Sequence, residues 1–157
     1  MKKLRVMIAD EESLSRNLLK SSLSYWGCDV VTVHSANEAY TALQAGNVDV
    51  CILNWEISGL NALEMCHWIR QADLKQEPHI IVLTETSARE NVRAAYLAGA
   101  NDYLTKPLRV EDMRSRISTI ASKLSQVNSL HWALGRLDPL ECYRMDLASH
   151  SKAYNRA

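Results

Sequence analysis

No run of apolar residues in this 157-residue chain is long enough to cross a bilayer, and no sign of charge dominates: Lys+Arg and Asp+Glu each number 18. The first absence argues against a membrane span. The second removes the electrostatic reason for a direct nucleic-acid or anionic-membrane partner. The four cysteines, Cys28, Cys51, Cys66 and Cys142, form no CxxC pair. They read as reduced core residues of a cytoplasmic protein. The five histidines share no metal-ligand spacing. A P-loop, a Gly-rich fingerprint and a Ser/His triad signature are all missing, so no enzyme is indicated. The missing phosphate-loop glycines also disfavour a small-molecule-binding flavodoxin-like domain. Met1-Lys2-Lys3-Leu4-Arg5 runs into a short apolar stretch and then acid, which is not the pattern of a signal peptide.

What is present suits one globular domain with a short appendage: 47% hydrophobic and 23% charged residues. Short apolar runs alternate with helical periodicity. Leu4 to Ala9 predicts a strand. Leu14, Leu18, Leu19, Leu23 and Trp26 mark one helix face, and Gly27 suits the left-handed position after it. Further strands are expected over Cys28 to Val33, Val48 to Leu53, Ile80 to Leu83 and Asp102 to Leu104. Capping boxes are expected at Ser35/Glu38, Asn61/Glu64 and Ser87/Glu90, each opening a helix, and a last helix begins near Arg109. Gly46 and Gly99 close two of these helices. The near-continuous apolar character of Val48 to Leu53 marks a central strand covered on both faces. The expected fold is α/β, a doubly wound five-stranded parallel sheet of flavodoxin-like order 2-1-3-4-5 with a C-terminal helical extension.

In such a sheet the functional crevice lies beyond the carboxyl ends of the strands. The polar residues there are Asp10 and Glu11 after the first strand, Asn54 after the third, Thr84 after the fourth and Lys106 after the fifth. Adjacent acids make a hard-oxygen cation site suited to Mg²⁺. A hydroxyl and an ammonium suit a tetrahedral anion such as a phosphoryl group. Any one of these residues alone is commonly a cap or a solvated side chain. Their coincidence at one sheet edge is what points to a site.

These residues carry a resemblance. Residues 4 to 124 resemble the receiver domain of bacterial response regulators in two-component phosphorelay signal transduction. Ile8-Ala9-Asp10-Glu11-Glu12 is similar to the family's acidic strand end. Val50-Cys51-Ile52-Leu53-Asn54-Trp55-Glu56-Ile57-Ser58-Gly59 is similar to its phosphoacceptor strand and loop. Ile81-Val82-Leu83-Thr84 matches the switch-threonine strand. Gly99-Ala100-Asn101-Asp102-Tyr103-Leu104-Thr105-Lys106-Pro107 is the most specific segment. It carries the aromatic switch position, Tyr103, and the family's lysine, followed by a proline that the resemblance implies is preceded by a cis bond. The resemblance implies that an aspartate at position 54 would take a phosphoryl group from a sensor kinase, with Mg²⁺ assisting and Thr84 and Lys106 binding the group.

The chain departs from that pattern around one pocket. Asn54 stands at the phosphoacceptor position, and a carboxamide oxygen is a very poor nucleophile that brings no charge to a metal. Ser58 replaces the family's usual proline, and Asn61-Ala62 replaces Asp-Gly. Glu85 follows Thr84 where the family has a small residue, and its charge would repel an incoming phosphoryl group. Two readings follow. The first is a pseudo-receiver that signals through protein contacts with a sensor kinase or a downstream protein, with Mg²⁺ held only weakly by Asp10, Glu11 and Asn54. The second is an ordinary phosphoacceptor receiver seen with an engineered Asn at position 54, or able to recover an acid there by deamidation. Trp55 reads as half-buried, with a partner contact as the alternative.

Residues 1–124 are expected to form the receiver and 125–157 a helical extension or a linker to an absent output domain. Met113, Ile117, Ile120, Leu124, Val127, His131 and Leu134 follow strict 4-3 spacing, which provides for a homodimer through a two-stranded coiled coil. Gly135 and Asp138-Pro139 should end that helix.

Overall fold

The computed structural model describes residues 3–133. Five short strands alternate with helices: β1 Arg5–Ala9, α1 Ser13–Tyr25, β2 Asp29–Val33, α2 Ala36–Gln44 and β3 Val50–Asn54. A two-stranded hairpin follows, β4 Glu56–Ile57 with β5 Leu60–Asn61. Then come α3 Ala62–Gln71, β6 His79–Thr84, α4 Arg89–Ala98, β7 Asp102–Thr105 and α5 Val110–Ala133. The main sheet is parallel, in the order β2-β1-β3-β6-β7. Leaving the hairpin out of the numbering, this is the expected 2-1-3-4-5.

The central strands are the apolar ones. Val6 to Ala9, Val50 to Leu53 and Ile80 to Leu83 are all buried. Each Val, Leu, Ile or Met side chain among them withdrawn from water contributes about 1.5–3 kcal/mol. The register Leu53↔Val82 and Ala9↔Leu53 brings Asp10, which follows β1, to one edge with the ends of β3 and β6.

Local sequence explains most element boundaries. Asn61 and Glu64 form a reciprocal capping box, with Glu64 N–H to Asn61 Oδ1 at 2.9 Å and Asn61 N–H to Glu64 Oε2 at 3.1 Å. Ser35 accepts from Glu38 N–H, but Glu38 reaches one residue further back, to His34 N–H at 3.0 Å. Gly27 (φ 86°) closes α1, with Cys28 N–H on Leu23 O and Gly27 N–H on Ser24 O. Two expectations fail. No box forms at Ser87: α4 starts at Arg89, and Ala88 N–H is taken by the Thr86 hydroxyl instead. Leu19 and Leu23 are buried on α1, but Leu14 and Leu18 are 76% and 62% exposed. The 13-residue helix carries a broader apolar sector than the sheet covers.

Cys51 and Cys66 are buried and Cys28 is partly so. Burial pushes the Cys66 thiol up to about 11, with the Arg70 guanidinium partly opposing, and burial raises Cys51 further. Cys142 lies outside the described residues. Lys3–Arg109 forms one compact unit. In the second unit α5 is a 24-residue helix whose Met113, Ile117 and Ile120 are buried. Of the heptad, Val127, His131 and Leu134 lie outside the residues whose side chains are described. No described helix is long and apolar enough to cross a membrane.

Arg70, near the end of α3, ties together the edge of the sheet opposite the strand ends. Its Nε and Nη2 donate to the Gly99 carbonyl at 3.0 and 2.7 Å, and Nη2 also donates to Asn101 Oδ1 at 2.7 Å. Nη1 donates to the Pro78 carbonyl at 2.9 Å and to Glu77 Oε1 at 3.0 Å. Gly99 must be glycine here: its φ is 116°, and a Cβ would stand 2.6 Å from Arg70 Cγ. Removing the guanidinium strands several of these acceptors. Arg70→Ala should therefore lose about 3 kcal/mol of stability in urea unfolding, and a loss below about 0.5 kcal/mol would contradict this role.

Candidate functional site

The carboxyl edge of the sheet gathers most of the expected residues. Asp10, directly after β1, is 1% exposed. Its Oδ1 accepts from Glu12 N–H at 2.9 Å, so the acid also shapes the turn into α1. Its Oδ2 is buried with no hydrogen-bond partner. The nearest cation is the Lys106 ammonium at 3.8 Å, an ion pair too long for a hydrogen bond. Lys106 follows β7, and its own N–H donates to the Thr84 carbonyl at 2.7 Å. The peptide bond between Lys106 and Pro107 is cis, as the resemblance implied. Glu11 is exposed.

Asn54 ends β3 half-buried, beside Leu83 of β6. Its Nδ2 donates to the Glu56 carbonyl at 3.1 Å. The amide thus satisfies a backbone oxygen of its own loop, which a carboxylate could only repel. Asn54 brings no charge, and the Lys106 ammonium is paired with Asp10 instead. Thr84 is 2% exposed, and its hydroxyl oxygen accepts from Thr86 N–H at 3.3 Å. Glu85, next to it, is exposed. Tyr103 on β7 donates its hydroxyl to the Thr86 carbonyl. Trp55 meets the Tyr103 ring edge-on, with centroids 6.5 Å apart and planes at 79°.

Several residues at this edge were not singled out by sequence. Arg16 on α1 donates from Nη1 to the carbonyls of Asp10 and Glu11, at 2.7 and 3.1 Å, and so fixes the acidic loop from behind. No periodicity marks such a contact, because it runs from a helix face to the loop before it. Thr86 belongs to no motif in the sequence. Yet it accepts from Tyr103, donates its N–H to Thr84 and caps Ala88 through its hydroxyl. The cluster Thr84-Glu85-Thr86 was the available signal, since threonines beside a helix start compete for backbone groups.

The donor set can be weighed for a divalent cation. The orphaned Asp10 Oδ2 is what a closer cation would satisfy. Glu11 supplies a second, exposed carboxylate, and Asn54 offers only a neutral oxygen. Among the described residues no three His, Cys, Asp or Glu side chains are gathered for a metal. The residues fit a hard cation held mainly by one buried acid.

The profile of the response regulator receiver domain matches residues 6–118. The phosphate regulon transcriptional regulatory protein PhoB of Rhizobium meliloti is 34% identical over 115 residues, 73% of this chain and 50% of that protein. The crystal structure of a putative response regulator from Chloroflexus aurantiacus has a TM-score of 0.71 at 27% identity, covering 76% of this chain and 98% of that one. A receiver domain of a sensor histidine kinase from Pseudomonas aeruginosa, whose crystal structure holds a magnesium ion in its active-site cleft, shares the fold with a TM-score of 0.68 at 18% identity, covering 75% of this chain and 97% of that one. The chain spans about half the length of the curated relatives it matches.

Mg²⁺ is held mainly by carboxylate charge, so the missing charge at position 54 should dominate its affinity. In calorimetry the chain should bind Mg²⁺ no tighter than roughly millimolar, and Asn54→Asp should bind it about tenfold tighter. Equal affinity of the two would show that position 54 does not face the cation.

Proposed function

The chain belongs to the response regulator receiver domain family of two-component signalling, and from that premise we propose that it signals through protein contacts without being phosphorylated. The observation that carries this is Asn54. Its carboxamide stands at the phosphoacceptor position and is engaged with the Glu56 carbonyl. The lone pair of an amide nitrogen is delocalised into its carbonyl, and the amide oxygen is far less nucleophilic than a carboxylate.

The roles of the neighbouring residues follow from the same reading. Thr84 and Lys106 keep the chemistry of an anion-binding pair, but Lys106 is already paired with Asp10. Asp10 and Glu11 would hold a divalent cation, with Asn54 as a neutral third donor. Such an ion, when bound, supplies positive charge that would draw a phosphoryl group. Glu85 opposes this, as a carboxylate beside the Thr84 end of the crevice. Recovery of an acid by the cyclic-imide route of deamidation would need the Trp55 nitrogen to attack the Asn54 side-chain carbonyl. That N–H is held by the Leu83 carbonyl at 2.8 Å, which opposes the attack. The partner is a sensor kinase or a downstream signalling protein, and the 4-3 spacing from Met113 to Leu134 provides for pairing of two copies.

Incubation with acetyl phosphate and Mg²⁺, followed by intact mass, tests the reading. The chain should be unchanged, and a stable single phosphoryl adduct on residue 54 would overturn it. In Asn54→Asp the new carboxylate oxygen can form the bond to phosphorus as acetate leaves. That variant should be labelled slowly, and adding Glu85→Ala should speed labelling about tenfold. Equal rates would show that Glu85 does not oppose the donor.

A further inference from the structure

Trp55 follows the last residue of β3, and its backbone is tied on both sides. Its N–H donates to the Leu83 carbonyl and its carbonyl accepts from Ala62 N–H, both at 2.8 Å. The indole ring packs against the main core cluster, as Tyr103 does, and meets the Tyr103 ring edge-on. Tyr103 in turn reaches the Thr86 carbonyl in the loop between β6 and α4. The same loop is closed by Thr86 N–H on the Thr84 hydroxyl and by Ala88 N–H on the Thr86 hydroxyl. A continuous set of contacts therefore runs from β3 through β7 to the β6–α4 loop. None of its members is ionic.

We propose that Trp55 is a positioning residue that holds Tyr103 against the core and so locks the β6–α4 loop in one conformation without a phosphoryl group. This rests on the phosphate-independent reading of the site and supplies what that reading lacks, a force that sets the loop when no anion arrives. A loop that answers to a ligand needs two states close in free energy, because a ligand moves a population only through its differential affinity. Here ring packing and the Tyr103 hydroxyl favour the same state, and Asn54 offers no charge with which to favour another. Loss of the edge-on ring contact should raise the population of any alternative loop state roughly fivefold to tenfold.

Relaxation-dispersion NMR on the full chain tests this at the amides of residues 84–88 and at the Tyr103 ring. The wild type should show flat profiles. Trp55→Ala should show exchange on the microsecond-to-millisecond scale at those amides, and Trp55→Phe should suppress most of it. Tyr103→Phe keeps the ring and removes the hydroxyl, so it should show exchange as well. It carries the test if Trp55→Ala does not fold. Flat profiles in a folded Trp55→Ala, or exchange already present in the wild type, overturn the lock. If only Tyr103→Phe can be measured, flat profiles there overturn it equally. Acetyl phosphate treatment of the same wild-type sample separates the two ideas: labelling would overturn the phosphate-independent reading, whereas quiet loops in the variants overturn the lock alone.

Discussion

Asp10 carries its carboxylate into a place where the residue is 1% exposed, and a charge there needs a cation and donors. The donor is Glu12 N–H, which makes the acid part of the turn into α1. Arg16 holds the carbonyls of Asp10 and Glu11 from the helix side. The cation is Lys106, delivered from the far strand of the sheet. The order of the sheet makes this pairing available, because β3 and β6 lie between β1 and β7 and the register aligns their ends. The fold therefore builds an electrostatic centre from residues nearly a hundred positions apart, and whatever occupies position 54 must live beside it.

A carboxylate at position 54 would add a second negative charge at the strand-end edge that holds the Asp10–Lys106 pair. An amide does not. Asn54 turns its nitrogen to the Glu56 carbonyl and leaves Lys106 to Asp10. Under the proposed lock, the groups that set the neighbouring loop are apolar or uncharged: the Trp55 ring, the Tyr103 hydroxyl and the threonines at 84 and 86. On the proposed reading, the site keeps the layout of a phosphoryl pocket and answers to packing.

The sequence made the sheet legible because its signals were local and redundant. Val50 to Leu53 has no polar residue, which only a strand covered on both faces tolerates. Asn61 and Glu64 sit at box spacing and form the box. The strand-end residues were legible for a topological reason, since parallel strands bring their carboxyl ends to one edge. What was missed depends on contacts that spacing does not encode. Ser87 and Glu90 have box spacing too, but the Thr86 hydroxyl takes the amide at the helix start and the helix begins later. Leu14 and Leu18 fit the helix period yet face outward, because period alone does not say where the sheet's cover ends. Arg70 belongs to no motif, yet it joins α3 to two other segments through the Pro78 and Gly99 carbonyls and the Asn101 side chain. Trp55 was read as half-buried, which it is. Its edge-on partner comes from β7, beyond the reach of any local pattern.

The most direct measurement compares amide spectra of the full chain with and without beryllofluoride and Mg²⁺. Beryllofluoride mimics a phosphoryl group by bonding to a carboxylate oxygen, and position 54 has none. A loop held by Trp55 and Tyr103 beside an uncharged Asn54 predicts superimposable spectra at residues 84–88 and at Tyr103, even at saturating beryllofluoride. Saturable shifts of those amides would contradict it, because they would show that the pocket still binds a phosphoryl analogue and that the loop still responds to it.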